Sequence, residues 1–296
     1  MTNLIVAPGQ GSQSEGFLAP FIEQVASFRE LLSEYSEVVD LDLIELGTAA
    51  SEERIKDTAI AQPLIVAASL ASFRTLPALG FDGVAGHSVG EFTAAAIAGV
   101  MDDATALKLV SVRSKAMAKA AAKVDTSMAA VIGGEISDVE VALASHNLVG
   151  ANYNGANQIV AAGLTKDVRA LVSNPPEKAR VIELKVAGAF HTQFMDDAKL
   201  ELEEYAKGLD FNDPTIALWS NQAGQLIESG SEFVRLLVNQ VSNPVRWDLV
   251  MQQFVGRSAQ IVELLPGGAL SGLLKRAVED CRTVPLRTPQ DFEKVS

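Results

Sequence analysis

A single cysteine, Cys281, leaves no partner for an internal disulfide and suits a reducing compartment. Histidine is scarce as well. His87, His146 and His191 are the only three, and with one thiol they give no metal-site spacing, so no bound metal is expected. Cations are outnumbered, 24 Lys and Arg against 37 Asp and Glu, for a net charge of −13. That balance excludes nucleic acid as the main partner, because phosphate binding needs a basic surface. An acidic protein partner would need a local basic patch. No apolar run reaches the roughly 18–20 residues of a membrane span. The start "MTNLIVAPGQGSQ" has no basic segment followed by a long apolar one, so neither a signal peptide nor a membrane anchor is expected. The expectation is a cytoplasmic globular protein, 48% hydrophobic and 21% charged over 296 residues. A monomer is the default, since no surplus amphipathic element demands a partner.

What is present is an α/β texture. "NLIVAPGQG" reads as a buried strand running into a Gly-rich loop. "FLAPFIEQVASFRELLSEYSEVV" carries apolar residues at helical spacing. "SEERIKDTAIAQPLIVAASLASFRTLPALG" reads as two helices divided near Gln62 and Pro63, with Pro63 in the first turn of the second. "DDATALKLVSVRSKAMAKAAAK" is a long helix capped by Asp102 or Asp103. Strands alternating with helices predict an α/β layered domain. From 126 to about 190 the order becomes β-α-β-β-α-β, the ferredoxin-like motif. The α/β pattern then resumes. The chain therefore divides into a large subdomain, 1–125 with 191–296, and a small inserted one, 126–190.

The chemistry is carried by Gly86-His87-Ser88-Val89-Gly90. It lies between the apolar run "GVAG" and the Ala-rich helix "EFTAAAIAG", the strand-turn-helix context of a nucleophile elbow. Gly86 and Gly90 leave room where a Cβ would meet neighbouring backbone. The amide of Val89 then stands at a helix N-terminus, able to donate to an oxyanion. The plainer reading is a Gly-Ser turn that joins a strand to a helix. A serine nucleophile needs a base. His87 should point away across the turn, as a structural residue or a pocket-wall donor, and His146 falls at a solvated helix end. His191, at the far junction of the insertion, is the candidate. Asp196 and Asp197 follow on the next helix and are expected to face solvent, so no orienting carboxylate is obvious. A backbone or amide carbonyl can hold the imidazole tautomer instead, and the pair reads as a Ser–His dyad. Arg113 shares a helix face with Leu109, Val110, Ala116 and Met117. It either pairs with a protein carboxylate or clamps a substrate carboxylate. The loop "PGQGSQ" could add a second oxyanion donor.

Taken together and in order, "APGQGSQ", "AQPLIVAAS", "GHSVGE", "VRSKAM", "GAFHT", "NPVRW" and "ELLPGGALSGLLKR" resemble the malonyl-CoA:acyl carrier protein transacylases of bacterial fatty-acid synthesis. The acyltransferase domains of polyketide and large fatty-acid synthases are similar. The resemblance implies an α/β-hydrolase-like core with an inserted ferredoxin-like subdomain. It implies Ser88 as the acyl-accepting nucleophile, His191 as its base and Arg113 as the grip on the malonyl carboxylate. Amides of Gln10 and Val89 would form the oxyanion hole, and the Gln240 carbonyl would orient His191. Met117 and Phe190 would line the acyl pocket, with Gln62 and His87 among the substrate-binding residues. No cofactor is bound; a coenzyme A thioester is the substrate and acyl carrier protein the acceptor. Docking of an acidic carrier protein would use Lys275 and Arg276, or Lys178, Arg180 and Lys185. Many relatives have "EVGPG" where this chain has "ELLPGG", so the turn near Pro266 is expected to differ. The rival readings are a serine thioesterase or hydrolase, a polyketide acyltransferase of other acyl specificity, and a non-catalytic binding module.

Overall fold

The computed structural model describes residues 2–77, 80–257 and 259–295. Its first strand, β1 (Thr2–Ala7), buries Leu4 to Ala7 completely or nearly so, as an apolar run on both faces of a parallel strand requires. Helices α1 (Ala19–Gln24) and α2 (Ala26–Val39) follow. Their helical spacing reads as continuous, but Val25 adopts an extended conformation and separates them. α3 (Leu43–Thr48) and α4 (Glu52–Lys56) are short and start at Asp42 and Ser51, whose side chains accept from Glu45 and Arg54 amides.

α5 (Thr58–Arg74) corrects one expectation. The break falls at Asp57, which accepts from the Ala59 amide at 2.8 Å, and Pro63 lies inside the second helix rather than in its first turn. The missing Pro63 amide would have bonded the Ala59 carbonyl. That carbonyl faces the Ser114 hydroxyl at 3.4 Å instead, so a neighbouring helix supplies the donor that proline lacks.

β2 (Gly83–Gly86), α6 (Gly90–Ile97) and α7 (Asp103–Ala121) complete the first half. Asp102 caps α7 by accepting from Thr105, while Asp103 accepts from the Tyr35 hydroxyl at 2.6 Å and from Arg74 at 2.7 Å. The next elements are β3 (Thr126–Gly133), α8 (Ile136–Ser145), β4 (Val149–Gly155), β5 (Gln158–Leu164), α9 (Thr165–Ser173) and β6 (Ala179–Glu183). Then come α10 (Asp196–Ala206), β7 (Ala217–Trp219), α11 (Gly230–Gln240), β8 (Val245–Arg246) and α12 (Trp247–Gln252). The last are β9 (Ala259–Glu263), α13 (Ala269–Ala277) and β10 (Cys281–Pro285).

The fold is mixed α/β with two sheets. One is parallel throughout, in the order β10-β9-β1-β2-β7. The other has the order β6-β3-β5-β4-β8 and is antiparallel except where β8 joins β4. β8 comes from beyond residue 190, so two backbone pairings, Asn152 with Val245 and Tyr153 with Arg246, tie the small sheet to the later chain. Aliphatic residues of α2, α5, α6 and α7 pack with β1 and β2 as the main core. Trp219, Trp247 and Phe254 pack with residues of β9 and α13 in a second. Val131, Ile159 and Leu171 centre a third beneath the small sheet. At the "ELLPGG" turn the Leu265–Pro266 bond is cis, and buried Glu263 accepts from the Leu270 and Ser271 amides, both at 2.8 Å, at the start of α13. Among the described residues no helix is long and apolar enough to cross a membrane.

Candidate active site

The turn between β2 and α6 is as tight as its glycines imply. A Cβ on Gly86 would lie 2.1 Å from the Gly90 carbonyl, and one on Gly90 would lie 2.2 Å from the Ala7 carbonyl oxygen. Between them Ser88 takes the left-handed region, φ +51°. A side chain rarely sits there without surrounding bonds that impose it. Three do so here: His87 N–H donates to Ala7 O at 2.9 Å, Gly90 N–H to His87 O at 2.9 Å, and Ser88 N–H to Asn221 Oδ1 at 2.7 Å. The Ser88 amide is therefore committed to structure. The next amide, that of Val89, stands at the N-terminus of α6, where no intrahelical acceptor exists.

His191 approaches from the loop after β6, itself at φ +61°. Its Nε2 lies 2.8 Å from Ser88 Oγ and its Nδ1 2.7 Å from the Gln240 carbonyl oxygen. A carbonyl only accepts, so Nδ1 carries the proton and Nε2 presents its lone pair to the serine. Burial, then the nearby Arg113 charge, lower its pKa to about 3, so the ring is a neutral base. Asp196 and Asp197 are exposed, and Asp197 pairs with Lys123.

Arg113 is 1% exposed and makes no ion pair among the described residues. Its Nη1 donates to Gln62 Oε1 at 2.5 Å; Nη2 reaches Ser88 Oγ at 3.3 Å and Gln240 Oε1 at 3.5 Å; its buried Nε has no partner. Burial lowers its pKa to about 10, still far above neutrality. Buried cations without a paired anion are costly. The alternative of a structural salt bridge is thus not what the structure contains.

These groups open onto one cavity of about 220 Å³. Gln10, Gln62, His87, Ser88, Val89, Arg113, Met117, Phe190 and His191 all line it. Gln240 stands behind it. Gln10 is held beside Gln62, at 3.5 Å between the two side chains. His87 forms wall rather than base, with Nε2 3.0 Å from Asn154 Oδ1 and its ring edge-on to Trp247. His146 is elsewhere, at the end of α8, with Nδ1 on the Ala142 carbonyl.

Sequence reasoning missed several participants. Asn221 holds the elbow from both sides, accepting from Ser88 N–H and donating Nδ2 to Gly86 O at 2.7 Å. Its place, just past the C-terminal end of β7 in a parallel sheet, is where sites gather, and that is the signal that could have found it. Asn152, Asn154 and Met128 reach the cavity from the small sheet, and Lys56, at the end of α4, and Lys185, just after β6, also line it. Glu91, whose place in the first turn of α6 suits a negative charge, is 1% exposed. It accepts from the Asn221 amide at 2.7 Å and from Gln240 Nε2. No group of three or more His, Cys, Asp or Glu among the described residues could hold a metal ion.

Known proteins share this chain's pattern. The acyl transferase domain model matches residues 5–289. The malonyl CoA-acyl carrier protein transacylase of Mycobacterium tuberculosis is 43% identical across 99% of this chain and 98% of its own. That of Escherichia coli K12 is 30% identical across 96% of this chain and 95% of its own. A crystal structure of the M. tuberculosis protein superposes with a TM-score of 0.93 over 100% of this chain and 99% of that one, at 42% identity. A malonyl-transacylase in complex with its type II polyketide acyl-carrier protein gives 0.91 over 99% and 98%, at 28% identity. The chain belongs to the acyl transferase domain family, alongside the malonyl CoA-acyl carrier protein transacylases.

Proposed function

We propose that this chain transfers malonyl groups from malonyl-CoA to the phosphopantetheine thiol of an acyl carrier protein, through a malonyl ester on Ser88. The observation that carries the reading is Arg113: a buried guanidinium with no carboxylate partner, 3.3 Å from a serine oxygen that also faces a neutral histidine. A hydrolase of uncharged esters has no use for it. Malonyl is a short diacid, so when its thioester carbonyl meets Ser88 its carboxylate lies close by, within the reach of that fork. A longer diacid would overshoot.

In the first half-reaction His191 Nε2 takes the Ser88 proton as Oγ attacks the thioester carbonyl. The Val89 and Gln10 amides receive the oxyanion, an interaction worth roughly 3–4 kcal/mol per donor in comparable sites. The Gln240 carbonyl steadies the imidazolium. Coenzyme A leaves as the thiol, carrying the proton back from His191. In the second half-reaction His191 takes the proton of the carrier protein's thiol as the sulfur attacks the ester carbonyl. The bond from the acyl carbon to Ser88 Oγ breaks, Oγ regains that proton from His191, and the malonyl group departs as the carrier thioester. Gln62, Met117, Phe190 and His87 shape the acyl end. We read the architecture as an α/β-hydrolase-like core, 1–125 and 191–296, with a ferredoxin-like subdomain, 126–190; the sheet order β6-β3-β5-β4 supports the second name. The proposal is of a cytoplasmic monomer, and the lone Cys281 supports the reducing compartment.

Coenzyme A release is the test. It should be fast with phosphopantetheinylated carrier protein and slow without it. Steady release of coenzyme A and free malonate with water alone would instead identify a hydrolase.

A further inference from the structure

Glu91 is a buried carboxylate that the reaction steps above do not use. Its two oxygens take one bond each from the two halves of the site. Oε1 accepts the backbone N–H of Asn221 at 2.7 Å, and Asn221 in turn fixes the elbow through Ser88 N–H and Gly86 O. Oε2 accepts from Gln240 Nε2, and the backbone carbonyl of Gln240 holds His191 Nδ1. The ring closes where Gln240 Nε2 also reaches Asn221 Oδ1 at 3.1 Å.

We propose that Glu91 is the positioning carboxylate of this dyad, acting one bond further out than a triad aspartate by clamping the serine's backbone and the histidine's acceptor to a single rigid group. The chemistry needs a carboxylate there, because both bonds are accepted. An amide of the same shape must turn its oxygen to the Asn221 N–H, which is backbone and cannot reverse. Its NH2 then faces the NH2 of Gln240. Relief requires Gln240 to turn over, which takes Oε1 away from Arg113 and points a donor at the guanidinium. Burial raises the Glu91 pKa, while the Asn221 amide and the Arg113 charge oppose the rise and favour the carboxylate. The group is therefore held by geometry rather than by hydration.

The inference rests on Ser88 and His191 acting as proposed, and labelling of wild-type Ser88 by a fluorophosphonate tests that separately. Glu91→Gln is then the decisive variant. Expected are a kcat about tenfold to a hundredfold lower, a KM for malonyl-CoA within about threefold of wild type, and fluorophosphonate labelling slowed in step with kcat. An unchanged kcat per folded molecule, whatever the melting temperature does, would overturn the proposal. So would a change confined to KM. Should Glu91→Gln fail to fold, Gln240→Met keeps the His191 carbonyl but cuts the tie, and the same kcat loss is expected from it. Where both fold, the double variant should lose no more than the worse single one; independent, multiplying losses would contradict the clamp.

Discussion

The Nδ1 of His191 lies 2.7 Å from the carbonyl oxygen of Gln240, where a serine triad would place an aspartate. A carbonyl fixes the tautomer as an aspartate does, but it adds no negative charge. Burial and the Arg113 charge disfavour the imidazolium, and the bond to the Gln240 carbonyl offsets them only in part.

One consequence is an unusual pH profile. His191 titrates in the fold at about 3, against 6.5 for an ordinary histidine. The acylation rate should hold down to about pH 5, with no limb near 6.5. A pH series of single-turnover acylation rates measures this, and a half-maximal point near 6.5 would contradict it. Stability follows with opposite signs for two groups. The unfolded chain protonates this histidine below 6.5 while the native state does not, so His191 lowers stability as pH falls from 6.5 toward 3. Glu91, whose carboxyl pKa is raised by burial above its usual 4.5, must be ionised inside the fold to accept its two bonds, so it lowers stability as pH rises above 4.5. Melting temperature should peak between the two. Glu91→Gln should flatten the alkaline side.

Arg113→Ala should change which acyl group is used. Loss of a buried charge-assisted pair costs about 2–5 kcal/mol, so kcat/KM for malonyl-CoA should fall by roughly 30-fold to several thousandfold. Acetyl-CoA, with no carboxylate to bind, should be little affected or improved. Parallel acylation with the two thioesters decides it; an equal fall for both would mean that Arg113 serves the fold or the serine rather than the carboxylate.

Gly90→Ala should be more damaging than any helix propensity suggests. Alanine favours helix over glycine by about 1 kcal/mol, yet this Cβ would sit 2.2 Å from a backbone oxygen of β1. Overpacking against backbone costs roughly 1–3 kcal/mol or more. A lowered melting temperature with lost acylation is expected. A stabilised variant would show that the turn is looser than drawn.

Lys185 is exposed, lines the cavity and has no ion pair among the described residues. Of the cations weighed for docking, Lys178 pairs with Glu177 at 3.8 Å and Arg276 reaches Gln158 at 3.5 Å. Lys185→Glu should raise KM for the acidic carrier protein several-fold at low salt, with an effect that fades as salt rises and a kcat close to wild type. Steady-state kinetics at two ionic strengths checks it.

The sequence carried the elbow because its requirements are local. Gly86 and Gly90 stand where no side chain fits, and the strand and helix on either side have their own apolar patterns. It carried the alternation of elements for the same reason. The break at Val25 was not legible because no glycine or proline marks it, and the run of α5 through Pro63 was not legible since it depends on a contact from another helix, Ser114 on the Ala59 carbonyl. Asn221 and the second role of Glu91 were hidden for a like reason. They are 130 positions apart and meet only through the packing of β7 beside β2. Ionisable residues in a first helical turn usually face water, and nothing local marks Glu91 as buried.

The most direct measurement is the intact mass of the protein mixed with malonyl-CoA in the absence of carrier protein, with Ser88→Ala beside it. A malonyl adduct on the wild type, missing from Ser88→Ala and removed on adding phosphopantetheinylated carrier protein, is the predicted result. An adduct that persists on Ser88→Ala, or a wild type that never acylates, would contradict the account.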